Sequence, residues 1–268
     1  MLERGDRTGA ERAWRDLTEL AGRTRDATVA LWASEPGAIL AFIEGRLEDA
    51  VATSYGLQAA TLGGSGGAER TFLLPRALLY LGRTDAALSL FDSWPTNRPP
   101  RAGLACWLAY LGRGEEARKI RAEFGGVGSD EDESAVIILV HLLEAALLTK
   151  DENTARELAR RLAPLGGLSY ARGGGGFGRL LGGAAALLGE PEKARGYYLQ
   201  AIEASERIRF RPEIALTRLE LAELLLEHYP GEKPAAQQQL DLAIDEFRAM
   251  KMQPSLERAL RHKGLLHA

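Results

Sequence analysis

Apolar positions recur at three- and four-residue intervals along most of the chain, the period of an amphipathic helix. Ala10, Ala13, Trp14, Leu17, Leu20 and Ala21 make one such stripe and predict a helix from about Thr8 to Gly22. No clear run alternates Val, Ile, Thr or aromatic residues with polar ones, so no strand of four or more residues is expected. Ala135 to Leu148, AVIILVHLLEAALL, is apolar on nearly every side and predicts a buried helix. It is too short to span a bilayer and carries His141 and Glu144. A closing helix is expected from near Pro254, with the proline in its first turn.

The helical pattern repeats. EGRLEDAV at Glu44 is echoed by LGRTDAAL at Leu81, LGRGEEAR at Leu111, TKDENTAR at Thr149, LGEPEKAR at Leu188 and PGEKPAAQ at Pro230. Each copy sets a turn residue five positions before an alanine: Gly45–Ala50, Gly82–Ala87, Gly112–Ala117, Lys150–Ala155, Gly189–Ala194 and Gly231–Ala236. Successive alanines stand 37, 30, 38, 39 and 42 residues apart. Apolar helical segments flank every turn, which predicts six helix–turn–helix units. The turn residue supplies backbone angles that most residues adopt reluctantly, and the acids after it favour the start of the next helix. The alanine lets two helices approach closely. One pair cannot bury its own apolar face, so the units are expected to stack into a solenoid.

The unit from Gly175 to Pro212 resembles a tetratricopeptide repeat. Gly182, Gly189, Ala194, Tyr198 and Ala201 stand where such repeats carry Gly, Gly, Ala, an aromatic and Ala. The other units keep mainly the turn residue and the alanine, and most exceed the usual length of ~34 residues, so the repeats are degenerate. From about Thr24 to Gly264 the chain is similar to the C-terminal helical-repeat region of large bacterial signalling ATPases, associated with nucleotide-cyclase, kinase or LuxR-type domains. The segments from Gly178 to Glu227 and from Leu240 to Gly264 carry that likeness. The resemblance implies a scaffolding or regulatory role and no active site in this region.

YARGGGGFGRLL, Tyr170 to Leu181, contains G-x-G-x-x-G at Gly173, Gly175 and Gly178. A phosphate-binding P-loop needs Lys and then Ser or Thr after its last glycine, and Arg179 and Leu180 stand there instead. A dinucleotide fingerprint needs a preceding strand, whereas RELARRLAPLGGLS reads as a helix ending at a Pro/Gly turn. The glycines are therefore expected to lead into a repeat helix and let its start pack on the previous unit. Nucleotide or anion binding at Gly173–Gly178, helped by Arg172 or Arg179, is the lesser alternative.

Charge and composition exclude several classes. A formal net charge of −3, with no basic stripe, argues against nucleic acid as a partner. Cys106 is the lone cysteine, so neither a disulfide framework nor a thiolate metal cluster is expected. The start MLERGDRTGAERAW lacks the apolar stretch of a secretory leader, and a cytoplasmic, membrane-free protein is expected. His141, His228, His262 and His267 make no metal-ligand spacing, and His141 reads as a core histidine. SDEDES, Ser129 to Ser134, lacks the ligand spacing of a calcium loop and predicts Ser129 or Asp130 as N-cap of the apolar helix. GGSGG, Gly63 to Gly67, reads as a flexible loop between units or a replacement for a longer one. The other acids read as solvated helix faces.

The expected architecture is all-α: about fourteen helices, six degenerate TPR-like pairs in an α-solenoid over residues 24–253, an N-terminal helix in 1–23 and a capping helix in 254–268. In this repeat type the first helix of each pair lines the concave face. Projecting the frame places Phe42, Arg76, Tyr80, Tyr110, Arg179 and Arg218 there, and Tyr and Arg are common interface anchors. The expected function is a non-enzymatic scaffold or regulatory module, without cofactor, that binds a peptide, a partner protein or other domains of a larger signalling protein in that groove. Inter-helix packing is the competing role for each of the six residues. A sensor domain taking a small effector is the second functional reading.

Overall fold

The computed structural model describes residues 1–61, 73–92, 98–129, 131–170 and 175–266. Gly63–Gly67, Asp130, Arg172, Gly173 and His267 lie outside the described residues. Fourteen α-helices run through the described chain. They are α1 (Arg7–Thr24), α2 (Ala27–Ile43), α3 (Leu47–Thr61), α4 (Leu73–Tyr80), α5 (Thr84–Asp92), α6 (Arg98–Tyr110) and α7 (Gly114–Ala122). Then come α8 (Val136–Thr149), α9 (Glu152–Leu162), α10 (Phe177–Leu187), α11 (Pro191–Ile208), α12 (Arg211–His228), α13 (Lys233–Met250) and α14 (Gln253–Leu266). Among the described residues the only β pairing joins β1 (Ser169–Tyr170) antiparallel to β2 (Gly175–Gly176).

The helices form six consecutive hairpins, each turning at a residue of the repeated motif. Gly45, Gly82, Gly112 and Gly189 take φ of 72 to 76°, and Lys150 does the same at 55°. Gly231 differs: it sits in a 3-10 turn, Pro230–Glu232, outside the left-handed region. Pro230 directs that chain reversal and removes the need for a left-handed residue. The motif alanines confirm the register, since Ala50, Ala87, Ala117, Ala155, Ala194 and Ala236 are all at most 1% exposed. Asp6, Asp26 and Asp151 cap α1, α2 and α9 by accepting bonds from Gly9, Thr28 and Thr154 amides, among others.

The first helices of the hairpins touch in series, α2 to α4, α4 to α6, α6 to α8, α8 to α10, α10 to α12 and α12 to α14. The array then returns on itself, because α12 also meets α2 and α14 meets α4. Polar contacts seal this seam: Arg211 Nη1 donates to the Glu44 carbonyl at 3.1 Å, Arg7 Nη1 to the Ile208 carbonyl at 3.1 Å, and Lys251 pairs with Glu48 at 2.9 Å. Met250 packs against Gly45, where a Cβ would collide with it.

The glycine-rich stretch serves helix approach. A Cβ on Gly178 would stand 2.9 Å from the Ala201 Cβ and 2.9 Å from the Gly166 carbonyl, so the start of α10 sits directly on α11 and on the turn after α9. One turn later a Cβ on Gly182 would lie 2.5 Å from the Tyr198 ring. The acidic run departs from expectation. Ala135, not Ser129, is the N-cap residue of α8, and it makes no side-chain cap. Asp132 instead accepts from the Gly128 and Ser134 amides, both at 2.8 Å, and so builds the preceding turn.

Ala194 is fully buried beside Tyr198, Leu221, Leu225 and Ala236. Ala194→Leu is therefore expected to cost about 1–3 kcal/mol by overpacking. Glu203→Ala, on the exposed side of the same helix, should leave the thermal melt unchanged. A wild-type melt for Ala194→Leu, with unaltered hydrogen exchange from Leu180 to Leu226, would show that the helices do not cross there.

Candidate functional site

The first helices bring most of the sequence-derived candidates together. Arg76 and Tyr80 stand one turn apart on α4, Tyr110 on α6 and Arg179 on α10, with Phe42 near the end of α2. They meet in the interior and not on an open face. Phe42 and Arg76 are fully buried, Tyr80 and Arg179 nearly so, and Tyr110 is half-buried. The physical reason is the return of α12 and α14 onto α2 and α4, which fills the space an open concave face would leave.

Glu144, on α8, is the hub. Arg76 Nη1 and Nη2 donate to its two oxygens at 2.9 and 2.6 Å, a bidentate pair. Tyr110 Oη donates at 2.6 Å, the Cys106 thiol at 3.4 Å and Arg179 Nη2 at 3.3 Å. Arg179 carries the network to α12, through Nε to Glu213 at 2.8 Å and Nη1 to Glu220 at 2.9 Å. Aromatic rings wall the cluster. The Arg76 guanidinium lies 4.8 Å over Trp107, Phe42 stacks on Tyr80 at 5.9 Å, and Phe210 meets Phe42 edge-on at 5.9 Å.

Electrostatics follows from burial. Burial alone would push the Glu144 carboxyl up, but Arg76, Arg179 and the Tyr110 hydroxyl outweigh it and hold the group well below the usual carboxylate range. Glu213 is pushed up by burial, with Arg179 opposing, and its Oε2 has no hydrogen-bond partner. Burial likewise raises the Cys106 thiol and the Tyr110 phenol, so both keep their protons at neutral pH. A protonated, buried thiol is a poor nucleophile. Among the described residues no three His, Cys, Asp or Glu are grouped to hold a metal ion. The cluster thus ties α4, α6, α8, α10 and α12 together.

Arg218 is the exception among the six candidates. It pairs with Glu206 of α11 at 3.3 Å, because the inward stripe of α12 runs through Glu213, Thr217 and Glu220. Sequence reasoning also missed Glu144, Glu213 and Trp107. For Glu144 a signal existed: it is the only charged residue in the apolar run from Ala135 to Leu148. His141 is a core histidine as read, fully buried and edge-on to Trp107 at 5.1 Å.

An open apolar surface lies elsewhere, between α1 and α2. A groove of about 470 Å³ is lined by Ala10, Trp14 and Leu17 on one side and Trp32, Pro36 and Ile39 on the other. Trp32 is 48% exposed. Pro36, inside α2, lacks the N–H that would bond the Trp32 carbonyl, so that acceptor is released from the helix ladder. No described helix is long and apolar enough to cross a membrane. No protein-family model matches the chain, and no curated protein matches it significantly.

Proposed function

We propose that the protein is a non-enzymatic interaction module, one turn of a TPR-like superhelix, that takes a helix of a partner protein at its α1–α2 end. The six hairpins with a fully buried motif alanine, and first helices in serial contact, support the repeat reading. The single observation that carries the interaction reading is the groove beside the half-exposed Trp32, since large aromatics left open on a helical surface mark binding sites. The partner's source is proposed as a larger signalling assembly, on the sequence resemblance. A small-effector reading draws on the unpartnered Glu213 oxygen, but the interior side chains already satisfy one another around Glu144.

At the glycine stretch, the Glu213 carboxylate lies against Gly176, where a Cβ would stand 2.6 Å from its oxygen. A carboxyl at the start of α10 competes with any phosphate for the helix dipole. The expected result is that millimolar ATP or GTP leaves the thermal melt unshifted, while a cross-linked native partner protects α1 and α2 from hydrogen exchange. Saturable micromolar nucleotide binding, abolished by Gly175→Val, would overturn the reading. So would a metabolite that stabilises the protein by protecting the Glu144 cluster with no partner present.

A further inference from the structure

Arg179 serves three carboxylates at once. Its Nε bonds Glu213 Oε1 at 2.8 Å, its Nη1 bonds Glu220 at 2.9 Å, and its Nη2 reaches Glu144 at 3.3 Å. Glu144 has Arg76 as its own bidentate partner, so Glu213 and Glu220 divide most of what Arg179 offers. The two differ in their access to water. The Glu220 side chain is 16% exposed, whereas that of Glu213 is fully buried and its Oε2 meets no hydrogen-bond partner. An ionised carboxylate is an acceptor at both oxygens, and burying one with an oxygen left bare is unfavourable. The neutral acid needs far less solvation. Of the two, Glu213 is the one that folding drives to hold a proton.

Glu213 also stands at a junction. It lies in the first turn of α12, just after Phe210, whose ring meets Phe42 of α2 edge-on where the array returns on itself. Its carboxyl lies against Gly176, the N-cap residue of α10, where a Cβ would come within 2.6 Å of Oε1. The titratable and charged groups around it are Arg179 on α10, Glu220 on α12, Glu144 on α8 and Tyr80 on α4. Arg211, at the start of α12, turns outward to Glu246 and the Glu44 carbonyl, and α2 meets this turn through the uncharged Phe42. Burial pushes the Glu213 carboxyl up, Arg179 opposes, and the Glu220 and Glu144 charges add to the rise.

We infer that Glu213 is a proton switch in the closed array: it enters the fold as a neutral acid, and its ionisation as the pH rises loosens the meeting of α2, α10 and α12. The proton passes to water, and the charge left behind faces Glu220 and Glu144 across one shared guanidinium. The contacts that weaken are the approach to Gly176 and the Phe210–Phe42 edge contact. The folded acid holds its proton to higher pH than the unfolded chain does. Its contribution to stability is therefore full below the usual carboxylate range and is lost as the pH rises towards the folded value.

Glu213→Gln has the shape of the neutral acid and cannot ionise. Thermal melts of the full chain are compared for the two proteins from about pH 5 to about pH 9. His141 and the other titrating groups are common to both and cancel in the difference. The glutamine variant should match wild type at the acid end and exceed it by several degrees at the alkaline end. Glu220→Gln leaves Arg179 freer for Glu213, so adding Glu213→Gln to that variant should give a smaller divergence. Isotope-edited infrared spectra of the folded protein should show an acid carbonyl stretch that fades as the pH rises and that Glu213→Gln removes. Hydrogen exchange of residues 176–181 and 210–217 should quicken over the same range relative to Glu213→Gln. A glutamine variant that falls further below wild type as the pH rises would show that Glu213 folds as an anion, and the inference would be wrong. Parallel curves, or an acid band that the substitution leaves untouched, would also overturn it. If the variant fails to fold, the wild-type spectrum decides: no acid band at a pH where the unfolded chain is ionised would sink the inference, and a band that fades with the quickening of exchange would support it.

Discussion

Glu144→Gln is expected to be among the most destabilising single substitutions in the protein, at about 3–5 kcal/mol. The side chain keeps its shape, so the loss is electrostatic. Arg76 is fully buried and makes its bidentate ion pair with Glu144. Neutralising the carboxylate leaves that guanidinium in a dry, aromatic setting beside Trp107, with a weaker acceptor in front of it. Tyr110 and Cys106 lose a charged acceptor at the same time. Arg179 suffers less, because Glu213 and Glu220 still hold it. The melting temperature should fall by on the order of 10 °C. Removing both charges is expected to hurt less than removing one, since a buried ion pair replaced by apolar residues of similar volume is often near neutral. Arg76→Met with Glu144→Leu should therefore recover more than half of the loss in urea unfolding. If Glu144→Gln melts with wild type, or if the double variant is worse than the single one, the cluster is not a buried electrostatic clamp.

The helical hairpins were legible because their determinants are local. A turn residue, acids after it and an alanine five positions on depend only on neighbouring residues, and all six alanines are buried as the motif required. Phe42, Arg76, Tyr80, Tyr110 and Arg179, projected by the same frame onto the concave face, lie close to one another in the interior. Whether that side is open depends on how small rotations accumulate over six hairpins. No short stretch encodes the meeting of α12 with α2, or of α14 with α4. Arg218 shows a finer limit. Arg211 to His228 is apolar on more than one side, and a shift of one position moves a residue from the interior to the α11 contact. Glu213 was illegible for a related reason: it looks solvated until Arg179, 34 positions away, is in place, and Glu144, although marked out by its apolar run, gave no sign of Arg76, 68 positions away. The acidic run before α8 misled because Asp132 found backbone donors within its own loop before the helix began.

His141 makes the acid side of the stability curve a property of the interior. The ring is fully buried on α8, edge-on to Trp107, with the positive Arg76 and the negative Glu144 as its charged neighbours. Burial first, and the Arg76 charge second, push its pKa down to about 3, with Glu144 opposing. The unfolded chain binds that proton near pH 6.5, so the unfolded state carries more protons across the whole interval between the two values. The sign is then fixed: stability falls as pH drops from about 6.5 towards 3, and is recovered on return to neutrality. Two pH units below the unfolded value correspond to about 3 kcal/mol at pH 4.5. Glu213 works the other way, because a raised carboxyl pKa favours the fold as pH falls through it. Glu144 resists until lower pH, its depressed pKa costing stability only below the usual carboxylate range. His141→Phe keeps a ring against Trp107 and removes only the proton site, so both glutamates act equally in the two proteins. Urea midpoints measured from pH 7 to 4.5 should diverge by that amount, with the phenylalanine variant losing less. Parallel curves would mean that His141 takes up its proton in the folded state, and that the interior around Glu144 admits water.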